Sequence, residues 1–319
     1  MSTSWGGPFR YSIYGECLES EIPFPELREC PGGDPRWWFA LDYDLPDRPD
    51  GEVLGGGVLY DDVRVRLLED TEGARWILVD DSGVFRISRD GRTIHWRPNR
   101  EPSWEFGRAD LMGRVLNTTL HMEGLLTLHA GAVDVGPGAV AFLAPSGSGK
   151  STLSLSLVQR GGRLVTDDDL PVELPDIGSV RVRPGGASAR LTDESRQRLG
   201  IGRDRALNRE GKLVVSDLPE RAICGKPVPL EALYLLASVP PRDAEATVRR
   251  VRMGAVEATL AVQGQVKFGE MLGAAAMPTL LDRVATLVRR VPVYTLYLVR
   301  DFDRLDEGLD QLLSWHPTG

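Results

Sequence analysis

The sequence predicts an α/β chain in which a strand–loop–helix core follows a β-rich N-terminal module. Three observations carry that expectation. The apolar run Ala139-Val140-Ala141-Phe142-Leu143 leads into the glycine-rich turn Ala144-Pro145-Ser146-Gly147-Ser148-Gly149-Lys150-Ser151-Thr152. The segment Leu153 to Arg160 then places Leu153 and Leu157 on one helical face. Further on, Arg163-Leu164-Val165-Thr166 reads as a short buried strand ending in the acidic triplet Asp167-Asp168-Asp169. Before residue 104, short alternating stretches separated by turn residues read as a sheet.

The glycine-rich turn has the chemistry of a phosphate-binding loop. Gly147 and Gly149 let backbone N–H groups curl around an anion without a Cβ in the way. The helix beginning near Lys150 turns the positive end of its dipole to the same point. Ser146, Gly147, Ser148, Gly149, Lys150, Ser151 and Thr152 form the expected nucleotide-binding set. Lys150 reaches the β- and γ-phosphates, and the Ser151 hydroxyl is placed for Mg²⁺. Ala144 stands where the motif usually opens with glycine. The acidic triplet falls at the C-terminal end of a core strand, where open sheets carry their sites. One carboxylate there can hold Mg²⁺ and another can accept a proton from an attacking hydroxyl. His129 ends the apolar alternating stretch Leu126-Thr127-Leu128, one hairpin before the loop.

In order and separation, these three motifs resemble the HPr kinase/phosphorylase family, whose core is shared with ATP-dependent phosphoenolpyruvate carboxykinase. The matching pieces are His129-Ala130, the loop ending at Ser151, and Arg160 through Asp168, so the likeness spans about residues 120–172. It implies a P-loop kinase core with ATP as donor and Mg²⁺ as cofactor. It further implies Asp167 as catalytic base, Asp168 as the metal-side carboxylate, and His129 as the residue that orients Asp167. The chain departs from the bifunctional enzymes at Thr152, where they carry Glu, and lacks their downstream Gly-Leu-Gly-Ile signature. Tyr14-Gly15 with Ser20, Pro229 to Tyr234, Val291 to Tyr294 and Phe302 to Leu305 are similar to HPr-kinase-related proteins of peptide-modification clusters. That subgroup includes kinases of the C-terminal serine of lasso-peptide precursors. The implied acceptor is a serine-type hydroxyl of a peptide or small protein.

The expected domains are 1–103, the β-rich module, and 104–319, the kinase domain. Strands are expected at Arg10–Cys17, Trp37–Tyr43, Val58–Leu68, Trp76–Val79, Val84–Ser88 and Thr93–Arg97, with Pro46 to Gly57 as a loop. Trp37-Trp38 reads as sheet core, with a peptide-binding surface as the other option. Trp104 to Glu123 is an amphipathic helix through Phe106, Leu111, Val115, Leu116 and Leu120. Later elements are strands at Val172–Leu174 and Val180–Val182, a helix capped by Thr192, a helix over Pro278–Arg290, a strand over Val293–Val299 and a final helix from Phe302 to Trp315. Gly200 to Ser216 reads equally as a solvated loop and as a cationic one. Arg203, Arg205, Arg209 and Lys212 lie in it, and Arg183 and Lys212 are the candidate phosphate contacts.

At 319 residues with net charge −8, the chain has a large core and no basic stripe for nucleic acid. Three scattered cysteines give neither a disulfide framework nor a metal spacing. A polar start and no long apolar span point to a cytoplasmic protein without membrane partners; homo-oligomerisation stays open. Two other functions compete with the kinase. A carboxykinase-type enzyme needs more metal-binding histidines than the four present. A nucleotide-gated binding protein would show no phosphate transfer.

Overall fold

The structure is a computed structural model that describes residues 7–58, 62–100, 103–186, 188–201, 213–215, 218–239, 248–269, 271–299 and 301–317. It is a mixed α/β chain with two large sheets, divided into two units: residues 1–127 with 267–281, and residues 128–266 with 282–319.

The first unit is built on nine strands: β1 (Phe9–Ile13), β2 (Glu16–Ser20), β3 (Arg28–Glu29), β4 (Trp37–Leu41), β5 (Glu52–Val58), β6 (Arg64–Glu69), β7 (Arg75–Val79), β8 (Gly83–Ile87) and β9 (Thr93–Pro98). They form one sheet in the order β3-β1-β2-β4-β9-β8-β7-β6-β5. Pairs β2–β4 and β4–β9 are parallel. Strands β6 to β9 make an antiparallel meander. One face of the sheet is apolar at every second residue, as a half-buried strand requires. Trp37, Phe39, Phe85, Ile94 and Trp96 are buried there.

Helices α1 (Trp104–Asp110) and α2 (Leu116–Met122) cover that face, joined without a break by a π-helical turn at Leu111–Val115. Leu111, Val115, Leu116 and Leu120 share the core of Trp37 and Trp96. The helix expected to open the second domain at residue 104 therefore belongs to the first unit. Its apolar stripe needs a partner, and the sheet supplies it.

Three sequence expectations change here. Arg10–Cys17 is a hairpin, because Tyr14 and Gly15 take left-handed φ of 55° and 76° and turn β1 back into β2. The expected loop Pro46 to Gly57 contains the edge strand β5. Gly55 in it lies so close to the main chain of Met271 that a Cβ would stand 2.1 Å from that carbonyl oxygen. The run Val58–Leu68 is the end of β5 and most of β6, with residues 59–61 outside the described residues. Of the tryptophan pair, Trp37 is core, and Trp38 is 37% exposed on the other face.

The second unit contains β10 (Leu126–Asp134), which begins just before it, then β11 (Ala139–Leu143), α3 (Lys150–Gln159), β12 (Arg163–Thr166), β13 (Asp169–Glu173), β14 (Arg181–Val182), β15 (Ala189–Leu191), α4 (Asp193–Arg198), β16 (Leu213–Val215), β17 (Val228–Val239), β18 (Val248–Arg252), α5 (Ala255–Gln263), α6 (Met277–Arg290), whose first turn belongs to the first unit, β19 (Val293–Val299) and α7 (Leu305–Ser314). Its main sheet runs β11-β10-β13-β14-β17-β19-β18, with β12 paired to β10. Strand β11 also pairs in parallel with β17, so five strands close on themselves. Phe142 and Tyr234 meet α3 and α7 in the core through Leu153, Leu157, Leu309 and Leu312. No helix among the described residues is long and apolar enough to cross a membrane.

Gly107 of α1 lies flat on the Trp96 ring, where a Cβ would stand 2.1 Å from Cζ2. Trp96 cannot yield, since it is fully buried and stacked on Phe85 at 5.5 Å. Gly107→Ala should therefore destabilise the first unit by about 1–3 kcal/mol, the usual cost of overpacking. Denaturant unfolding followed by tryptophan fluorescence will measure it; an unchanged midpoint would contradict this packing.

Candidate active site

Local sequence dictates the loop. After the buried strand β11, Gly147 and Gly149 hold φ of 79° and 93°, values that side chains bearing a Cβ rarely adopt. Among the described residues nothing lies within 4 Å of where their Cβ atoms would be. Gly149 is the N-cap of α3, and no side chain caps the helix. The first-turn N–H groups thus lie at the positive end of the helix dipole, an arrangement suited to phosphate oxygens.

Lys150 is buried, and its ammonium donates to the carbonyl oxygens of Ala144 at 2.5 Å and Pro145 at 3.3 Å. The same Nζ lies 3.0 Å from Nε2 of His129. His129 reaches it because β10 pairs with β11 in the register Ala130↔Leu143, which sets His129 beside the start of the loop. The backbone N–H of His129 is itself held by the Gln265 carbonyl at 2.7 Å.

On the other side of β10, β12 pairs through Ala132↔Thr166 and brings the acidic triplet to the loop. Ser151 Oγ donates to Asp167 Oδ2 at 3.0 Å, and the Arg190 backbone N–H donates to the same oxygen at 2.7 Å. The other oxygen of Asp167 is buried and has no hydrogen-bond partner among the described residues. Asp168 faces His129, whose Nδ1 is 2.8 Å from Oδ1. Arg190 donates from its guanidinium to the remaining oxygen, Oδ2, at 3.1 Å. The resemblance implies that His129 orients Asp167; the carboxylate beside its Nδ1 is that of Asp168. The Nδ1–Oδ1 approach is close, but Nδ1 makes no hydrogen bond to the described residues.

Burial governs the electrostatics. Desolvation pushes the Asp167 carboxyl up to about 7, with the neighbouring charge of Asp168 adding to the rise; the bonds from Arg190 and Ser151 oppose it. A buried carboxylate oxygen with no partner among the described residues, beside a serine hydroxyl next to the glycine-rich loop, fits a hard divalent cation. Mg²⁺ commonly takes one or two protein carboxylates together with substrate phosphates and water. Ser151 and Asp167 would hold it. Among the described residues no group of three or more His, Cys, Asp or Glu could form a site on protein ligands alone.

The other expected residues fall as follows. Thr152 donates its hydroxyl to Ser195 at 2.9 Å, tying α3 to α4. Thr192 caps α4 as expected, accepting from the Ser195 N–H at 3.2 Å. Arg183 donates to Glu173 at 2.6 Å, an ion pair with the last residue of β13. Lys212, with Arg203, Arg205 and Arg209, lies outside the described residues. His316, the second histidine of this unit, is bound to Tyr234 at 2.7 Å, and burial pushes it down to about 4. Arg190 is the residue that sequence reading missed. It lies 40 positions from Lys150 in a three-residue strand, with no motif around it.

The raised Asp167 has a stability consequence. The folded chain keeps a proton that the unfolded chain releases above its ordinary value of 3.8, so stability falls as pH rises from 3.8 to about 7 and levels off above. Asp167→Asn abolishes that loss. Between pH 5 and 7 the variant should gain about 2 kcal/mol on the parent. Urea unfolding across this range tests it, and parallel pH curves would contradict the burial of an uncompensated carboxylate.

No protein-family model matches the chain, and no curated protein matches its sequence. Among solved structures, the Hpr(Ser) kinase/phosphatase from Coxiella burnetii aligns with 60% of this chain and 91% of its own, at 14% identity and a TM-score of 0.33.

Proposed function

We propose that the chain is an ATP- and Mg²⁺-dependent kinase that moves the γ-phosphoryl group to a serine-type hydroxyl of a peptide or small protein. The supporting observation is the line Lys150–His129–Asp168, at 3.0 Å and 2.8 Å, running beside Ser151–Asp167. A phosphate cradle, a cation, a metal-side carboxylate and a proton acceptor then stand within one cluster, which is the inventory of phosphoryl transfer. The motif resemblance points the same way.

The chain's residues divide the work. The N–H groups of 147–152 and the Lys150 ammonium bind the triphosphate; an anion in the loop competes for the ammonium now held by Ala144 and Pro145. Mg²⁺, when bound by Ser151 and Asp167, supplies charge neutralisation at the phosphates. Asp168 takes the proton of the acceptor hydroxyl as its oxygen bonds to phosphorus and the bond to the ADP oxygen breaks. His129 holds Asp168 for that role.

This exchanges the carboxylate roles implied by the resemblance. Asp167 is 6% exposed and bonded to the metal-side serine, whereas the Asp168 side chain is 20% exposed and can meet an acceptor. The finer acceptor proposal, a C-terminal serine of a lasso-peptide precursor, rests on the weaker N- and C-terminal motifs.

Two variants test the assignment with radiolabelled ATP and candidate peptides. Lys150→Ala should abolish transfer and weaken ATP binding by at least roughly 10-fold, about the effect of losing one charged hydrogen bond. Unchanged affinity and turnover would overturn the phosphate-loop reading. Asp168→Asn should leave ATP affinity intact while transfer falls by about 10²-fold or more; Asp167→Asn should raise the Mg²⁺ concentration needed for half-maximal rate. If the two aspartate variants behave the other way round, the base is Asp167.

A further inference from the structure

Both carboxylates of the site are held by a single residue of β15. The backbone N–H of Arg190 donates to Asp167 Oδ2 at 2.7 Å, and its guanidinium donates to Asp168 Oδ2 at 3.1 Å. The donors differ in kind. The N–H is fixed by strand geometry, since Arg190 pairs with Val214 between Ala189 and Leu191, which are both buried. The guanidinium is a planar cation on a 45% exposed side chain. It completes a chain of contacts, Lys150–His129–Asp168–Arg190, with a cation at each end.

Two neighbouring carboxylates repel, and each has two oxygens that can turn. Asp168 has one oxygen 2.8 Å from His129 Nδ1 and the other bonded to the Arg190 guanidinium, and that bond restrains its rotation about χ2. Asp167 is fixed through Ser151 and the Arg190 main chain. The same residue therefore sets the direction of the metal-side carboxylate and that of the proton-accepting one.

We propose that Arg190 is a positioning residue for phosphoryl transfer, its guanidinium holding Asp168 in the orientation that receives the acceptor's proton. The inference rests on the kinase reading above and adds a residue to it. Its consequence is specific. Substitution of the side chain keeps the N–H bond to Asp167, so nucleotide and metal binding should survive while turnover fails. A residue that merely supported the fold would lower both.

The test uses the full chain with Mg²⁺·ATP and water as the acceptor, reading inorganic phosphate release and, separately, ATP affinity by calorimetry. Arg190→Gln, which keeps length without charge, should lower kcat by roughly 10- to 100-fold, the usual effect of losing a group that orients a site ligand. KM for ATP and calorimetric affinity should stay within about threefold of the parent, well under the 1.4 kcal/mol of a tenfold change. Arg190→Lys should recover much of the loss, because one charged donor suffices for one oxygen. Equal kcat in the Lys and Gln variants, or parental kcat in Gln, overturns the inference while leaving the kinase reading standing. A parent chain that neither binds nor hydrolyses ATP removes the kinase reading itself, and this inference with it.

Discussion

Strand β10 is the constraint on which the rest of the second unit depends. It is buried at every position except His129, and it pairs with β11 on one side and β12 on the other. Those two strands feed the glycine-rich loop and the acidic bend. A one-residue slip of β10 against either would turn His129 to the opposite face, because side chains alternate with a period of two. The Ala130↔Leu143 and Ala132↔Thr166 registers thus fix, together, which groups meet. The Ala130 N–H bond to the Asp168 carbonyl at 3.1 Å adds a third tie at the bend itself.

Around that strand the site divides into two electrostatic compartments. One is buried and contains Asp167, whose burial costs are only partly offset by Ser151 and the Arg190 N–H. A group held so far from water without a full set of partners is strained toward a cation or a proton. The other compartment is half open and contains His129, Asp168 and the Arg190 guanidinium, each between 20% and 45% exposed. In the proposed reaction the buried side would hold the donor's metal and the half-open side would admit the acceptor.

Where the backbone alone decides, the sequence was readable. Gly147 and Gly149 announce a tight anion-sized turn, Thr192 announces a cap, and the apolar alternation that ends at His129 announces the start of β10. Non-local decisions were hidden. Two adjacent aspartates look alike in sequence, and only the path of the chain between β12 and β13 turns Asp167 to Ser151 and Asp168 to His129. Arg190 reaches the site through a three-residue strand whose pairing with β16 no local pattern signals. In the first unit, the alternation of Arg10–Cys17 runs straight through the Tyr14-Gly15 turn, and glycine-rich β5 is held by close main-chain approach, which leaves no hydrophobic pattern. The helix over 104–122 was legible as a helix; the sheet it covers was not, since an apolar stripe does not name its partner.

The most direct measurement is a crystal structure of the chain with Mg²⁺ and a non-hydrolysable ATP analogue. The account predicts the triphosphate in the 147–152 loop, the Lys150 ammonium moved from the Ala144 carbonyl onto the phosphates, the metal on Ser151 and Asp167, and the γ-phosphate facing Asp168. A nucleotide bound elsewhere, or a γ-phosphate turned away from both Asp168 and His129, would contradict it.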